Sequence, residues 1–109
     1  MILEDNLKYS LLCEVYSELL TQKQQKLLKD FLDNNLSISE LAVEYNSTRQ
    51  AVNDLLKRTF KVLEGYEEKL GLLKKFESVK FTINEAIVLL NKDKKEQVKK
   101  KLFSILEVL

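Results

Sequence analysis

Arg49, Gln50, Asn53, Lys57, Arg58 and Lys61 are the side chains of this sequence best placed to do something together. At about 100° per residue, a helix through them sets Gln50, Asn53, Lys57 and Lys61 on one side, with Val52, Leu55, Leu56, Leu63 and Tyr66 on the other. The chemistry of that polar arc is recognition. Gln50 and Asn53 can donate to and accept from adenine, and Arg49 can pair through two parallel hydrogen bonds with guanine or phosphate. Lys57 and Arg58 can neutralise phosphate, whereas Asp54 on the same arc repels it.

Bond-making chemistry finds less support. The chain has no histidine, no glycine-rich phosphate loop and no serine or cysteine beside a plausible base. Nucleophilic and phosphoryl-transfer sites therefore cannot be assembled in the usual way. The paired carboxylates Glu67 with Glu68 and Glu4 with Asp5 read as solvated helix faces, because no apolar surroundings raise a carboxyl for acid catalysis. Cys13, alone and without histidine, makes no internal disulfide and holds no metal; it reads as a packed helix residue. The expectation is a binding protein with no catalytic residues, no cofactor and no metal.

Helices must position the arc. Among the 109 residues there is no proline, and the only glycines are Gly65 and Gly71, which favours an all-α fold in one domain-sized chain. Leu7, Leu11, Leu12, Val15, Tyr16, Leu19 and Leu20 recur at helical spacing and predict a first helix to about residue 19. Thr21 with Gln24 is a capping-box pair ahead of the stripe Leu27, Leu28, Phe31 and Leu32, and Asp33 to Asn35 close that second helix. Ser37 with Glu40 repeats the box before Ile38, Leu41, Ala42 and Tyr45. Asn46 then tolerates a left-handed turn, and Ser47 with Gln50 reads as a third box starting the helix that carries the arc. Two helices joined so tightly make a helix-turn-helix.

The arc-bearing helix, from Thr48 to Leu70, spans about 34 Å. Its seam Val52, Leu56, Thr59, Leu63, Tyr66, Leu70 and Leu73 alternates steps of four and three, which suits packing on the first helix or on a second copy. Ser78 to Phe81 reads as a connector, Thr82 with Glu85 as the cap of a short fifth helix, and Asp93 with Glu96 as the cap of the last. The reading divides the chain into a helix-turn-helix domain over 1–77 and a lysine-rich helical extension over 78–109, packed on that domain or on a dimer partner.

Charge is uneven along the chain. Residues 1–70 carry nine Lys/Arg against twelve Asp/Glu, net −3, and residues 71–109 nine against five, net +4. A mildly acidic reader is a poor nonspecific binder of duplex DNA. Lys94, Lys95, Lys99, Lys100 and Lys101 make a second candidate surface, toward RNA, an acidic protein or anionic lipid. No apolar run approaches the roughly 20 residues of a membrane span, and no cationic and apolar leader precedes a cleavage site, so a cytoplasmic protein without membrane insertion is expected.

The stretch Leu20 to Leu70, with Leu36-Ser37-Ile38-Ser39-Glu40-Leu41-Ala42 in its middle, resembles region 4 of sigma-70-type factors. More specific are Tyr16-Ser17-Glu18-Leu19-Leu20-Thr21, Arg49-Gln50-Ala51-Val52, Lys57-Arg58-Thr59 and Tyr66-Glu67-Glu68-Lys69-Leu70-Gly71-Leu72. Together they resemble the YlxM family of small bacterial helix-turn-helix proteins over about residues 9–77. Asn46 departs from the glycine more usual in the turn, and Asn53 from an aromatic.

That resemblance implies a sigma-70 region 4-like core of three to four helices with a long recognition helix and a C-terminal helical extension. By gene neighbourhood it implies a regulatory or accessory role in the signal recognition particle pathway. The implied partners are the particle's RNA, its GTPase or its receptor, met through Thr48, Arg49, Gln50, Lys57 and Arg58. Two other readings stand beside it. One is a sequence-specific DNA-binding transcriptional regulator; the other is a dimeric protein-protein adaptor, paired through the arc-bearing helix and the C-terminal helices.

Overall fold

The computed structural model describes the backbone from Leu3 to Leu109 and the side chains from Asp5 onward, so the carboxylate of Glu4, half of one acidic pair, lies outside the described side chains. Every regular element in this range is helical: α1 (Leu3–Tyr16), α2 (Gln22–Leu28), α3 (Ile38–Glu44), α4 (Arg49–Leu70), α5 (Leu72–Asn91) and α6 (Lys95–Val108). A short 3₁₀ turn, Ser17–Leu19, follows α1, and a wider π turn, Lys29–Asp33, extends α2. No helix here is long and apolar enough to cross a membrane.

Local signals set the first helices. At Thr21 and Ser37 each side-chain oxygen accepts the backbone N–H of the residue three ahead, Gln24 or Glu40, whose own side chain accepts in return. Both expected capping boxes are therefore present. The third differs by one residue. Thr48, not Ser47, caps α4, its hydroxyl accepting the N–H of Ala51 at 3.0 Å, while Gln50 turns its amide to Asp54. Asn46 takes the left-handed conformation at φ 50°, and the Ser47 N–H donates back to the Ala42 carbonyl at 2.8 Å. The α3–α4 turn is thus as tight as expected.

Two compact units divide at Gly71, whose φ of 61° ends α4 and lets α5 begin one residue later. Leu73, the seventh seam position, consequently falls on α5. In the first unit, Leu12, Tyr16, Leu27, Leu28, Leu41, Val52, Leu56, Phe60 and Leu63 form the core. The α4 seam is buried from Val52 through Leu56 and Thr59 to Leu63, so that length of it packs inside the unit. Thr59 is tolerated there because its hydroxyl donates to the Leu55 carbonyl at 2.8 Å.

α1 is held along α4 by polar ties that its apolar periodicity does not reveal. The hydroxyls of Tyr9 and Tyr16 donate to Glu64 and Glu67, and the Tyr66 hydroxyl donates to the Leu19 carbonyl. Asp30 ties the π turn to α3 in the same way. Buried at 8% exposure, it accepts from the Tyr45 hydroxyl at 2.8 Å, from Lys26 at 3.2 Å and from the Asn34 amide at 3.1 Å.

The second unit departs furthest from expectation. α5 runs unbroken through 78–81, so that stretch is not a connector and the helix is not short. Neither proline nor glycine interrupts it, and the Thr82 hydroxyl donates to the Ser78 carbonyl within the helix instead of capping a new one. Asp93 does not cap α6 either: it adopts φ 59° in the turn, and α6 starts after Lys94 without a side-chain cap.

These networks carry a pH signature. The Tyr45 hydroxyl bond holds Asp30 below the ordinary carboxyl value of 3.8 despite its burial. Its contribution is complete above that value and is lost as pH falls below it. Burial, and then the bond to Asp30, pushes Tyr45 from 10.0 up to about 12. The bond to Glu64, and then burial, does the same for Tyr9. Raised phenols stabilise fully below pH 10.0 and lose that contribution as pH climbs to about 12. The midpoint of thermal melting is expected to fall steeply over that interval, and distinctly less in a Tyr9→Phe/Tyr45→Phe variant, as followed by circular dichroism.

Candidate nucleic-acid interface

The burial of Val52, Leu56 and Phe60 fixes how α4 is rotated, and Thr48 fixes where it starts. Thr48, Arg49, Gln50, Asp54, Lys57, Arg58 and Lys61 are all exposed as a result. The positive charges among them, Arg49, Lys57, Arg58 and Lys61, make no ion pair with any described residue, unlike Lys8, Lys26, Lys99 and Lys101. Unpaired cations on a rigid helix can meet phosphate without first breaking an internal contact. Gln50 is less free, since its amide donates to Asp54 at 3.0 Å. That bond partly occupies the Asp54 carboxylate.

Asn53 stands apart from this exposed set. It is half-buried and lines, with Lys57 and the acidic Asp5, a cleft of about 220 Å³ walled by Tyr9, Phe31, Ile38, Leu56 and Phe60. Tyr9 stacks on Phe60 with ring centroids 4.0 Å apart, and Phe31 meets Phe60 at 6.3 Å in a tilted arrangement. An amide lining an aromatic cleft, with an exposed ammonium in the same lining, can hold the edge of a planar ring while the cation meets its phosphate. The cleft was not legible in the sequence. Phe31 read as one residue of a buried stripe and Tyr9 carried no assignment, because the cleft needs α1 and α4 side by side.

The second basic surface is more scattered. Lys94, Lys95, Lys99 and Lys100 are exposed, but steps of about 100° per residue spread them around α6 instead of along one side. Lys101 is half-buried and bridges to Glu85 at 3.3 Å, which spends its charge on joining α6 to α5. Cys13 is half-buried, and burial, followed by the Asp33 charge, pushes its thiol up, away from the reactive thiolate.

Similarity to other proteins agrees with this architecture. UPF0122 protein YlxM of Bacillus subtilis is 40% identical over 109 residues, spanning 100% of this chain and 99% of its own. A UPF0122 protein of Desulforamulus reducens is 45% identical over 84 residues, covering 77% of this chain and 72% of its own. Another, from Limosilactobacillus fermentum, is 45% identical over 78 residues, covering 72% and 69% respectively. The family described as "Putative helix-turn-helix protein, YlxM / p13 like" matches residues 3–105. With a tight α3–α4 turn, a long α4 that exposes a polar arc and that match across nearly its whole length, the chain belongs to the YlxM/p13-like family of helix-turn-helix proteins.

Proposed function

We propose that this protein is an accessory factor of the signal recognition particle pathway that engages the particle's RNA through α4. The observation that carries the reading is the set of four exposed cations, Arg49, Lys57, Arg58 and Lys61, none of them in an ion pair with a described residue. Adjacent to them, the Asn53 cleft suits a base turned out of its stack, the way proteins most often read RNA. A first unit carrying nine basic against twelve acidic residues argues against tight, unselective duplex binding. The pathway itself is implied by family resemblance, which leaves the particle's GTPase or receptor as the other candidate partners.

A sequence-specific DNA-binding regulator is the second reading, favoured by the helix-turn-helix itself and by the exposure of Arg49 and Gln50 near the start of α4. Fluorescence anisotropy against the particle's RNA, its GTPase and a random duplex, at low and physiological salt, separates the two. RNA binding that survives physiological salt, weakened about tenfold by Arg49→Ala through loss of one charge-assisted contact, is expected. Binding to neither RNA nor GTPase overturns the pathway reading. Duplex binding alone, lost in Arg49→Ala, establishes the regulator instead.

A further inference from the structure

The second unit, Gly71–Leu109, is a hairpin of α5 and α6 in which only Ala86 and Ile105 are buried. A chain segment of about 40 residues ordinarily needs a disulfide, a metal or association to hold its fold. This hairpin has no cysteine, yet it leaves Phe76, Ile83, Ile87 and Leu90 of α5 and Leu102 and Leu106 of α6 between 41% and 67% exposed.

Those six side chains are ordered in two ways. Along α5 the positions 76, 80, 83, 87 and 90 step by four and three, as do 95, 99, 102 and 106 along α6, with lysine at 80, 95 and 99. This is the spacing of helices that lie side by side in a bundle. Their placement on the hairpin follows from the residues that join its two helices. Ala86 faces α6, and Ile105 faces α5. At about 100° per residue, each exposed stripe lies roughly a quarter turn ahead of its own helix's buried residue. Because the two helices run in opposite directions, equal quarter turns bring both stripes to the same side of the hairpin.

We infer that this apolar side is the contact by which two copies of the chain associate, hairpin against hairpin, as a four-helix bundle. The size of the face favours a second copy. At the apolar area per side chain implied by transfer energies, six such groups offer about 500 Å². The stems of Lys80 and Lys99 carry this toward the roughly 600–1,000 Å² each partner contributes to a standard interface. Charge is compatible with self-pairing as well. Lys80 lies within the stripe on α5 with Glu77 beside it, and Lys99 lies within that on α6, paired at its edge with Glu96 at 3.9 Å, so the face carries both signs toward a symmetry-related copy. The part of the α4 seam that is buried within its own unit, Val52 to Leu63, is not available for this pairing.

Sedimentation velocity of the full-length protein across about 1–200 µM tests the inference before any variant is made. A concentration-dependent dimer is expected, and a strict monomer throughout that range overturns the proposal. Leu106→Ala and Ile87→Ala locate the interface. Each truncation counts twice in a symmetric pair, so each is expected to raise the dimer dissociation constant about 30-fold or more. Phe81→Ala, also 66% exposed but on the opposite side of α5, is expected to leave the constant within about threefold. A dimer indifferent to Leu106→Ala and Ile87→Ala, or one lost in Phe81→Ala alone, overturns the assignment of the face. Circular dichroism of each variant separates loss of pairing from loss of helix.

Discussion

Changing Lys57→Glu and Arg58→Glu together is expected to weaken RNA binding at least about 100-fold at low salt while leaving the helices intact. Two charge-assisted contacts disappear, each worth about 1.5–3 kcal/mol, and two carboxylates are set against phosphate in their place. Because each neutralised phosphate releases counterions, the slope of log affinity against log salt is also expected to become shallower by about 2. Both side chains are exposed and neither pairs with a described acid, so their loss should not disturb α4. The carboxylate placed at position 58, one turn beyond Asp54, costs only a few tenths of a kcal/mol. A salt titration by anisotropy measures both quantities. Unchanged affinity with an unchanged slope removes α4 as the interface.

Leu63→Ala is expected to unfold most of the first unit near 37 °C. Leu63 is completely buried in the core of the first unit, on the helix that packs against α1, α2 and α3. Truncating such a leucine costs about 3–4 kcal/mol, from lost transfer energy and from a cavity that neighbours only partly fill. A unit of this size is held by only about 5 kcal/mol or somewhat more, so the melting midpoint should fall by roughly 15–20 °C. Leu63→Met, which keeps the volume, is expected to cost less than about 1.5 kcal/mol. Thermal denaturation followed by circular dichroism compares them. Equal losses would indicate that shape at Leu63, more than volume, holds the core together.

What was legible in the sequence, and what was not, follows from the range over which each signal acts. Thr21 with Gln24 and Ser37 with Glu40 satisfy donors within one turn of themselves, so their boxes form as read. Ser47 and Thr48 are adjacent capping residues, and nothing local chooses between them; the tight return of the Ser47 N–H to Ala42 leaves Thr48 to cap. Ser78 and Thr82 look like cap residues, but without a breaker beside them they remain inside α5. The exposed arc was readable because its phase is locked to Val52 and Leu56 on the same helix. The buried Asp30, the Tyr9 and Tyr16 ties and the Asn53 cleft join segments distant in sequence, and no single-helix pattern announces them.

The ties from α1 and its neighbouring turn to α4 bear on how the chain acquires its fold during synthesis. Tyr9 meets Glu64, Tyr16 meets Glu67 and Leu19 meets Tyr66 across 55, 51 and 47 residues of sequence. The α3–α4 pair and the α5–α6 hairpin each close between neighbouring helices and can form as soon as their own residues emerge. α1 leaves the ribosome ahead of α4 and must wait for its far end, a delay of roughly 2–10 s at ordinary elongation rates. For that interval the far end of α4 is not there to cover its apolar stripe, which makes α1, though made before α4, the last helix of the first unit to be seated.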